Sequence, residues 1–411
     1  MLTMKLKECC TVIAGQSPES KYYNTEGIGI PFFQGKADFG EVYPTIRVYC
    51  SQPTKIAEKD DILLSVRAPV GATNLSPGKV CIGRGLTAIR PSADLDLKYL
   101  LYFFRYYEVQ LQEKGTGTTF KAITQDVVKN IEIPIPDIDE QKRIVSKVDE
   151  LFSELDNGVE TLKKTKQQLA VYRQAVLKEA FEGKFTAHIP CDVELSWASE
   201  EETKSLPAIP KEWQYIALSN LGDLGRGKSK HRPRNDPKLF EGGKYPFLQT
   251  GKVKAAKQYI TEYSKMYGEF GLQQSKLWPK GTLCITIAAN IAETAFLGID
   301  ACFPDSVVGF TPYEHIIPEY IKYFIESQKL RLWAFAPATA QKNINLDTLE
   351  NLIVPYCSVE EQQLVIAKIE ARMTICDSIE QTVDIALQQA EAMRQSILKK
   401  AFEGNEFNDS I

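Results

Sequence analysis

DIDEQKRIVSKVDELFSELD, residues Asp137 to Asp156, is answered 221 positions later by SVEEQQLVIAKIEARMTICD, residues Ser358 to Asp377. Each copy opens on a short polar side chain, Asp137 or Ser358, with Glu140 or Glu361 three residues on, the reciprocal pairing that satisfies orphan amides at a helix N-terminus. Proline is absent from 137 to 183 and from 358 to 404. Apolar residues recur at Ile144, Val148, Leu151, Leu155, Val159, Leu162, Leu169, Tyr172 and Val176, in steps that make one stripe down a helix. The second copy has Val365, Ile369, Val383, Ala390, Met393 and Ile397 at matching positions. The pattern predicts two long helices, each about 70 Å if unbroken at ~1.5 Å per residue. Gly158 is the weak point of the first, at about 1 kcal/mol against alanine.

The repeat reaches well beyond these helices. AFEG stands at Ala180 to Gly183 and again at Ala401 to Gly404. The same offset pairs Lys121 with Lys342, Ile123 with Ile344, Pro134 with Pro355, Gln141 with Gln362, Asp156 with Asp377 and Arg173 with Arg394. Upstream the copies diverge but stay legible: IPFFQGK (Ile30 to Lys36) resembles YPFLQTGK (Tyr245 to Lys252), and DDILLSV (Asp60 to Val66) resembles KGTLCITI (Lys280 to Ile287). Each copy is therefore a variable globular part followed by a constant tail, and an acidic, proline-bearing stretch from Ile189 to Pro210 joins them.

Short strand-like runs (Asp61 to Arg67, Lys79 to Ile82, Thr282 to Ile287), turns rich in Gly and Pro, and one helical pattern in each copy (Leu97 to Gln112, Pro318 to Trp333) make the globular parts mixed α and β. The apolar stripes need cover, and the nearest cover is the other copy. Two such copies pack as an antiparallel pair about a pseudo-two-fold axis, holding the globular domains apart at a fixed distance. The expected fold is α+β: two mixed domains separated by a pair of long antiparallel coiled-coil helices, with an internal pseudo-two-fold repeat. The expected boundaries are 1–136 and 211–357 for the domains, 137–185 and 358–411 for the helical segments, and 186–210 for the linker.

At 411 residues, 44% hydrophobic and 25% charged, the chain has the composition of a soluble globular protein too long for one core. No run of 18 apolar residues appears and MLTMKLKECC lacks the apolar stretch of a secretion signal, which points to the cytoplasm and away from a membrane. None of the nine cysteines lies in a C-x-x-C pair and the three histidines stand far apart, so neither metal nor cofactor is expected. The two helical tails and the stretch Asp192 to Glu202 carry −2, −3 and −5 of a net −4, which leaves the remainder basic at +6.

GDLGRGKS, Gly222 to Ser229, matches the nucleotide-phosphate loop pattern letter for letter. A phosphate loop needs a helix starting at its Lys-Ser, and Pro233 and Pro237 fall where that helix should run. Aligning Leu218 with Leu6 sets AGQSP (Ala14 to Pro18) against RGKSK (Arg226 to Lys230), so the shared element is a Gly-x-Ser turn after a strand. Arg226, Lys228, Lys230, Arg232 and Arg234 crowd this turn in the second copy, a charge run suited to phosphate contacts and to guanine edges. The first copy has Gln16, Ser17, Tyr22 and Tyr23 there, and its Gln34 and Lys36 match Gln249 and Lys252.

Taken together the chain resembles the specificity subunit of a type I restriction-modification system. The resemblance is carried by Gly115 to Ile123, by Ile-Pro-Ile-Pro with Glu140-Gln141, by Arg173, Gln174, Leu177 and Ala180 to Gly183, and by their second-half counterparts Ala338 to Ile344, Val354-Pro355 and Glu361-Gln362. It implies a non-catalytic subunit with two target-recognition domains that read the halves of a bipartite, asymmetric double-stranded DNA target. It further implies helices that set the gap, two adenine methyltransferase subunits docked on them, and restriction subunits carrying nuclease and ATP-driven translocase. No N-P-P-Y or D-P-P-Y methyltransferase motif occurs, and the acids of PDIDEQK (Pro136 to Lys142) cap a helix where a nuclease would need them on strands. The expected DNA contacts are Gln16, Ser17, Gln34, Lys36, Arg67, Thr118 and Lys121 in the first domain. In the second they are Lys228, Ser229, Lys230, Arg232, Arg234, Gln249, Lys252, Gln341 and Lys342. A phosphate-loop hydrolase and a coiled-coil adaptor without nucleic acid are the competing classes.

Overall fold

Two 44-residue helices, Ile138–Phe181 and Val359–Phe402, dominate the computed structural model, which describes residues 2–116, 121–191, 193–335 and 343–403. Gly158 does not interrupt the first. The chain gathers into two compact units, Met1–Lys164 with Val383–Ile411 and Thr165–Thr382.

In the first unit an antiparallel sheet runs in the order Cys10–Ala14, Leu86–Pro91, Ile62–Ser65, Thr73–Leu75. A smaller sheet carries a parallel pair, Ile30–Phe33 with Val80–Ile82. The helix Leu97–Lys114, capped where the Asp96 carboxylate accepts the Tyr99 N–H at 3.0 Å, buries Tyr99, Leu100, Phe103 and Phe104 against Ile62, Leu64 and Ile89. Ile144, Val148 and Phe152 of the first long helix enter the same core, as do Leu398, Ala401 and Phe402 of the second. The Phe402 ring lies 5.1 Å from that of Tyr99 and 5.6 Å from that of Phe103.

The second unit repeats this plan. Its main sheet orders Gly222–Arg226, Val307–Pro312, Leu283–Thr286, Thr294–Leu297 and Tyr259–Ile260, and Tyr245–Phe247 runs parallel to Ala301–Cys302 in the smaller one. Phe181, from the end of the first long helix, packs 5.0 Å from Tyr320 and 5.3 Å from Phe324. Tyr320 and Phe324 are the counterparts of Tyr99 and Phe103 at the offset of 221. The phenylalanine of each AFEG therefore serves the domain that the other copy's helix follows.

Within each unit the two helix segments run antiparallel, as the stripes predict. Asp156 pairs with Arg394 in the first. In the second, Arg173 donates to Asp377 at 2.6 Å and to Glu380 at 3.1 Å, and Arg372 meets Glu179 at 3.5 Å. The repeated Asp and Arg thus pair crosswise. Half-exposed ion pairs contribute about 0–1 kcal/mol, so these fix register more than stability. The stripe itself is narrower than its spacing suggested: Tyr172 is 48% and Met393 55% exposed, because a two-helix contact covers only one row of side chains on each.

The reciprocal caps form by half. Asp137 accepts the Glu140 N–H at 2.9 Å, but the Glu140 carboxylate turns forward to Arg143 at 2.7 Å. Ser358 accepts the Glu361 N–H at 3.3 Å, while Glu361 is fully buried under the linker, taking Thr186 Oγ1 at 2.5 Å and the Ile189 N–H at 3.0 Å. The adjacent glutamines repeat bond for bond. Gln141 accepts the Asp96 N–H at 2.8 Å and donates to the Asp94 and Pro136 carbonyls; Gln362 accepts the Ile317 N–H at 2.9 Å and donates to the His315 and Cys357 carbonyls. Each buried amide satisfies three backbone groups, which fastens a helix start to its own domain.

Candidate nucleic-acid interface

The first five residues of GDLGRGKS form a strand, Gly222–Arg226, laid antiparallel on Val307–Pro312. A Cβ on Gly225 would meet the Trp278 ring at 2.6 Å and one on Gly227 the Pro304 carbonyl oxygen at 2.3 Å, so these glycines serve close packing. No helix begins at Ser229: the next element after the strand is the short turn of 3-10 helix Pro237–Leu239. Without a helix N-terminus there is no phosphate cradle, and the nucleotide alternative is overturned.

Ladder register makes the two domains comparable residue by residue. Ala14 faces Thr87 in the first and Arg226 faces Val308 in the second, in agreement with the alignment of AGQSP on RGKSK. Phe32 faces Cys81 and Phe247 faces Cys302, which makes Gln34 and Gln249 equivalent. Arg67 bridges Ala122 as Ala288 bridges Asn343.

In the first domain these elements converge on a cleft of about 120 Å3, lined among others by Gln34, Lys36, Arg67 and Arg84. Gln34, Lys36 and Arg67 are all exposed, and Lys121 adjoins the residue that bridges Arg67. Gln16 is exposed on the neighbouring turn, where its carbonyl accepts the Thr54 hydroxyl; half-buried Ser17 accepts the Arg84 N–H at 3.2 Å. Burial pushes the Glu108 carboxyl up, and the Lys36 charge opposes that shift. Thr118 lies outside the described residues. Arg84 escaped the sequence reading, although Gly83-Arg84-Gly85 is a tight-turn signal immediately before a strand.

The second domain divides its cations into two groups. Arg234 donates twice to the Asp305 carboxylate, at 2.8 and 3.1 Å, and Arg226 donates to the Asp305 carbonyl at 2.6 Å. Arg232 spends one nitrogen on the Ser229 and His231 carbonyls. His231 bonds Asp236 at 2.8 Å and holds that carboxyl below the usual range. These groups brace the loop. Lys228 and Lys230 are exposed and have no side-chain partner among the described residues. Ser229 is buried, with Tyr267 against it, and so points away from solvent.

Gln249 and Arg234 line a second cleft of about 200 Å3 together with Lys265, which sequence reasoning missed for want of a local signal. Lys252 does not join them; it turns to Glu262 at 3.0 Å. Gln341 and Lys342 lie outside the described residues. The first domain thus presents an amide, an ammonium and two guanidinium groups on a concave surface, and the second an amide and the Lys265 ammonium beside a carboxylate-paired Arg234, arrangements that suit acceptor-rich, anionic ligands.

A profile of the type I restriction modification DNA specificity domain matches residues 1–170 and 210–389. The chain is 40% identical over 174 residues to the putative type I restriction enzyme MjaX specificity subunit of Methanocaldococcus jannaschii, covering 42% of this chain and 40% of that one. It is 25% identical over 356 residues to the type I restriction enzyme EcoBI specificity subunit of Escherichia coli, covering 84% and 73%. The match therefore spans less than half of the Methanocaldococcus protein and nearly three quarters of the Escherichia one. Its fold is similar to a chain from a structure concerned with complex assembly and conformational transition of the type I R-M system (TM-score 0.72, 19% identity, 98% of both chains). It is also similar to the HsdS subunit from Thermoanaerobacter tengcongensis (TM-score 0.51, 18% identity, 98% of this chain and 97% of that one).

Proposed function

The chain belongs to the type I restriction-modification DNA specificity family, and on that premise we propose that its two mixed domains each read one half of a bipartite, asymmetric target in double-stranded DNA. The paired long helices set the gap between the halves and give two adenine methyltransferase subunits their docking surface. Restriction subunits with nuclease and ATP-driven translocase join that complex in the cytoplasm. The chain itself is non-catalytic and contributes position and sequence choice.

One observation carries this reading above the adaptor alternative. Two scaffolds matched in ladder register present clefts with different side chains, Gln34, Lys36, Arg67 and Arg84 against Gln249, Arg234 and Lys265. Identical clefts related by a two-fold axis would read a palindrome; different ones read unequal halves. The test is single-molecule sequencing of genomic DNA from cells carrying the neighbouring methyltransferase, with and without this chain. An interrupted motif methylated on adenines of both strands, and only when the chain is present, is expected. With a competent methyltransferase, no chain-dependent motif would leave the adaptor reading standing.

A further inference from the structure

The register that makes Thr87 equivalent to Val308 makes Arg84 equivalent to Asp305, three residues earlier in each turn. Both turns border the cleft that holds the domain's glutamine: Arg84 lines it directly, and Asp305 lies between the lining residues Pro304 and Ser306. In the first domain the turn is held from both sides. Ser17 Oγ accepts the Arg84 N–H at 3.2 Å, and a Cβ on Gly85 would fall 2.3 Å from the Gln34 carbonyl oxygen. The Arg84 side chain is exposed and has no carboxylate partner among the described residues, and the same is true of Arg67 in the same cleft. In the second domain the equivalent Asp305 is engaged by Arg234 through its carboxylate and by Arg226 through its carbonyl.

We propose that Arg84 is a specificity-determining residue of the first domain that reads a guanine through its O6 and N7 atoms, and that the exchange of arginine for Asp305 removes this reading from the second domain. The proposal rests on the DNA-reading role given above. A guanidinium offers two parallel N–H donors, which match the paired acceptors of a guanine edge. A phosphate contact needs charge and tolerates a loose tether, whereas base reading needs donors held in place. The bonded backbone fixes where the Arg84 side chain leaves the turn, and its guanidinium, without a carboxylate partner among the described residues, is left for a base edge. Gln34 beside it is a neutral amide, whose joined donor and acceptor suit a base edge and cannot neutralise a phosphate.

The test is selection from a randomised duplex library by the full chain assembled with its methyltransferase, unsubstituted and as R84A and R84Q. The unsubstituted complex should enrich an interrupted motif with a guanine in one half. In R84A the preference for that guanine should fall roughly 5- to 150-fold while the other half-site is retained, which also shows that the variant folds. In R84Q the preference at that position should move towards adenine. An even loss of affinity on every sequence in both variants would make Arg84 a phosphate contact and overturn the assignment, as would an unchanged motif. Failure of the unsubstituted complex to enrich any interrupted motif would overturn the DNA-reading role, and this assignment with it.

Discussion

Gln141 and Gln362 make the same three bonds to equivalent backbone groups, while Glu140 and Glu361, one residue earlier, behave quite differently. Glu140 is partly exposed and pairs with the nearby Arg143. Glu361 is buried and holds the start of the linker through Thr186, His188 and Ile189. Burial alone would raise its pKa; the donors from Thr186, Ile189 and His188 outweigh that and hold it below the ordinary value. The contrast separates two kinds of repeated residue. One maintains the scaffold and is invariant in its contacts; the other shares a letter and takes its role from what surrounds it. Arg84 and Asp305 carry the same lesson into the clefts, where even the letter differs.

The largest effects should come from the invariant contacts. Gln141→Ala and Gln362→Ala each remove a buried side chain and its three hydrogen bonds to the backbone, so each should cost about 3 kcal/mol in denaturant unfolding. A much smaller cost at one of them would break the equivalence of the two domains.

The glutamates sharpen the contrast. Glu361→Ala should destabilise by about 2 kcal/mol by leaving Thr186 and Ile189 unsatisfied, whereas Glu140→Ala, on a partly exposed ion pair, should cost below about 1 kcal/mol. Because the folded-state pKa of Glu361 is depressed, its contribution is present above the unfolded value near 4.3 and is lost as pH falls through the lower folded value. The stability gap between the native chain and Glu361→Ala should therefore narrow in acid and persist at neutrality; a gap that widens in acid contradicts the clamp.

Smaller still is the difference between the lysines of the second domain. Lys230 has no side-chain partner among the described residues and Lys252 is tied to Glu262, so Lys230→Ala should lower the slope of log affinity against log salt by about 1 and Lys252→Ala by clearly less. Equal slopes for the two would show that the loop and the Glu262 side of the domain meet DNA alike.

Much of this architecture is visible in the letters. Proline-free periodic tails bounded by capping residues and AFEG specify the helices, because helix physics is local. The offset of 221 specifies the equivalence of the domains, and the prolines after Ser229 exclude a phosphate loop. Pairings between distant residues are not visible. Nothing in Arg234 announces Asp305, 71 residues away, so a cation bracing the loop looked like one free for DNA. Nor does Phe402 announce Tyr99, or Ser229 its place against Tyr267. Tyr172 and Met393 fit the stripe's period yet face solvent, since period specifies a face and not how wide its cover is. Arg84 was within reach: extending the offset one strand further upstream sets it against Asp305.

The central claim is that two equivalent scaffolds read unequal half-sites because their cleft side chains differ. It is tested most directly by replacing residues 214–357 with a second copy of residues 2–136, boundaries at which Thr3 and Tyr215 occupy the same ladder position. The methylation motif written by this duplicated chain with its methyltransferase is then sequenced. The motif should become an interrupted palindrome whose halves both equal the half read by the native first domain. A motif that keeps two unequal halves, from a chain that folds and supports methylation, would contradict the account.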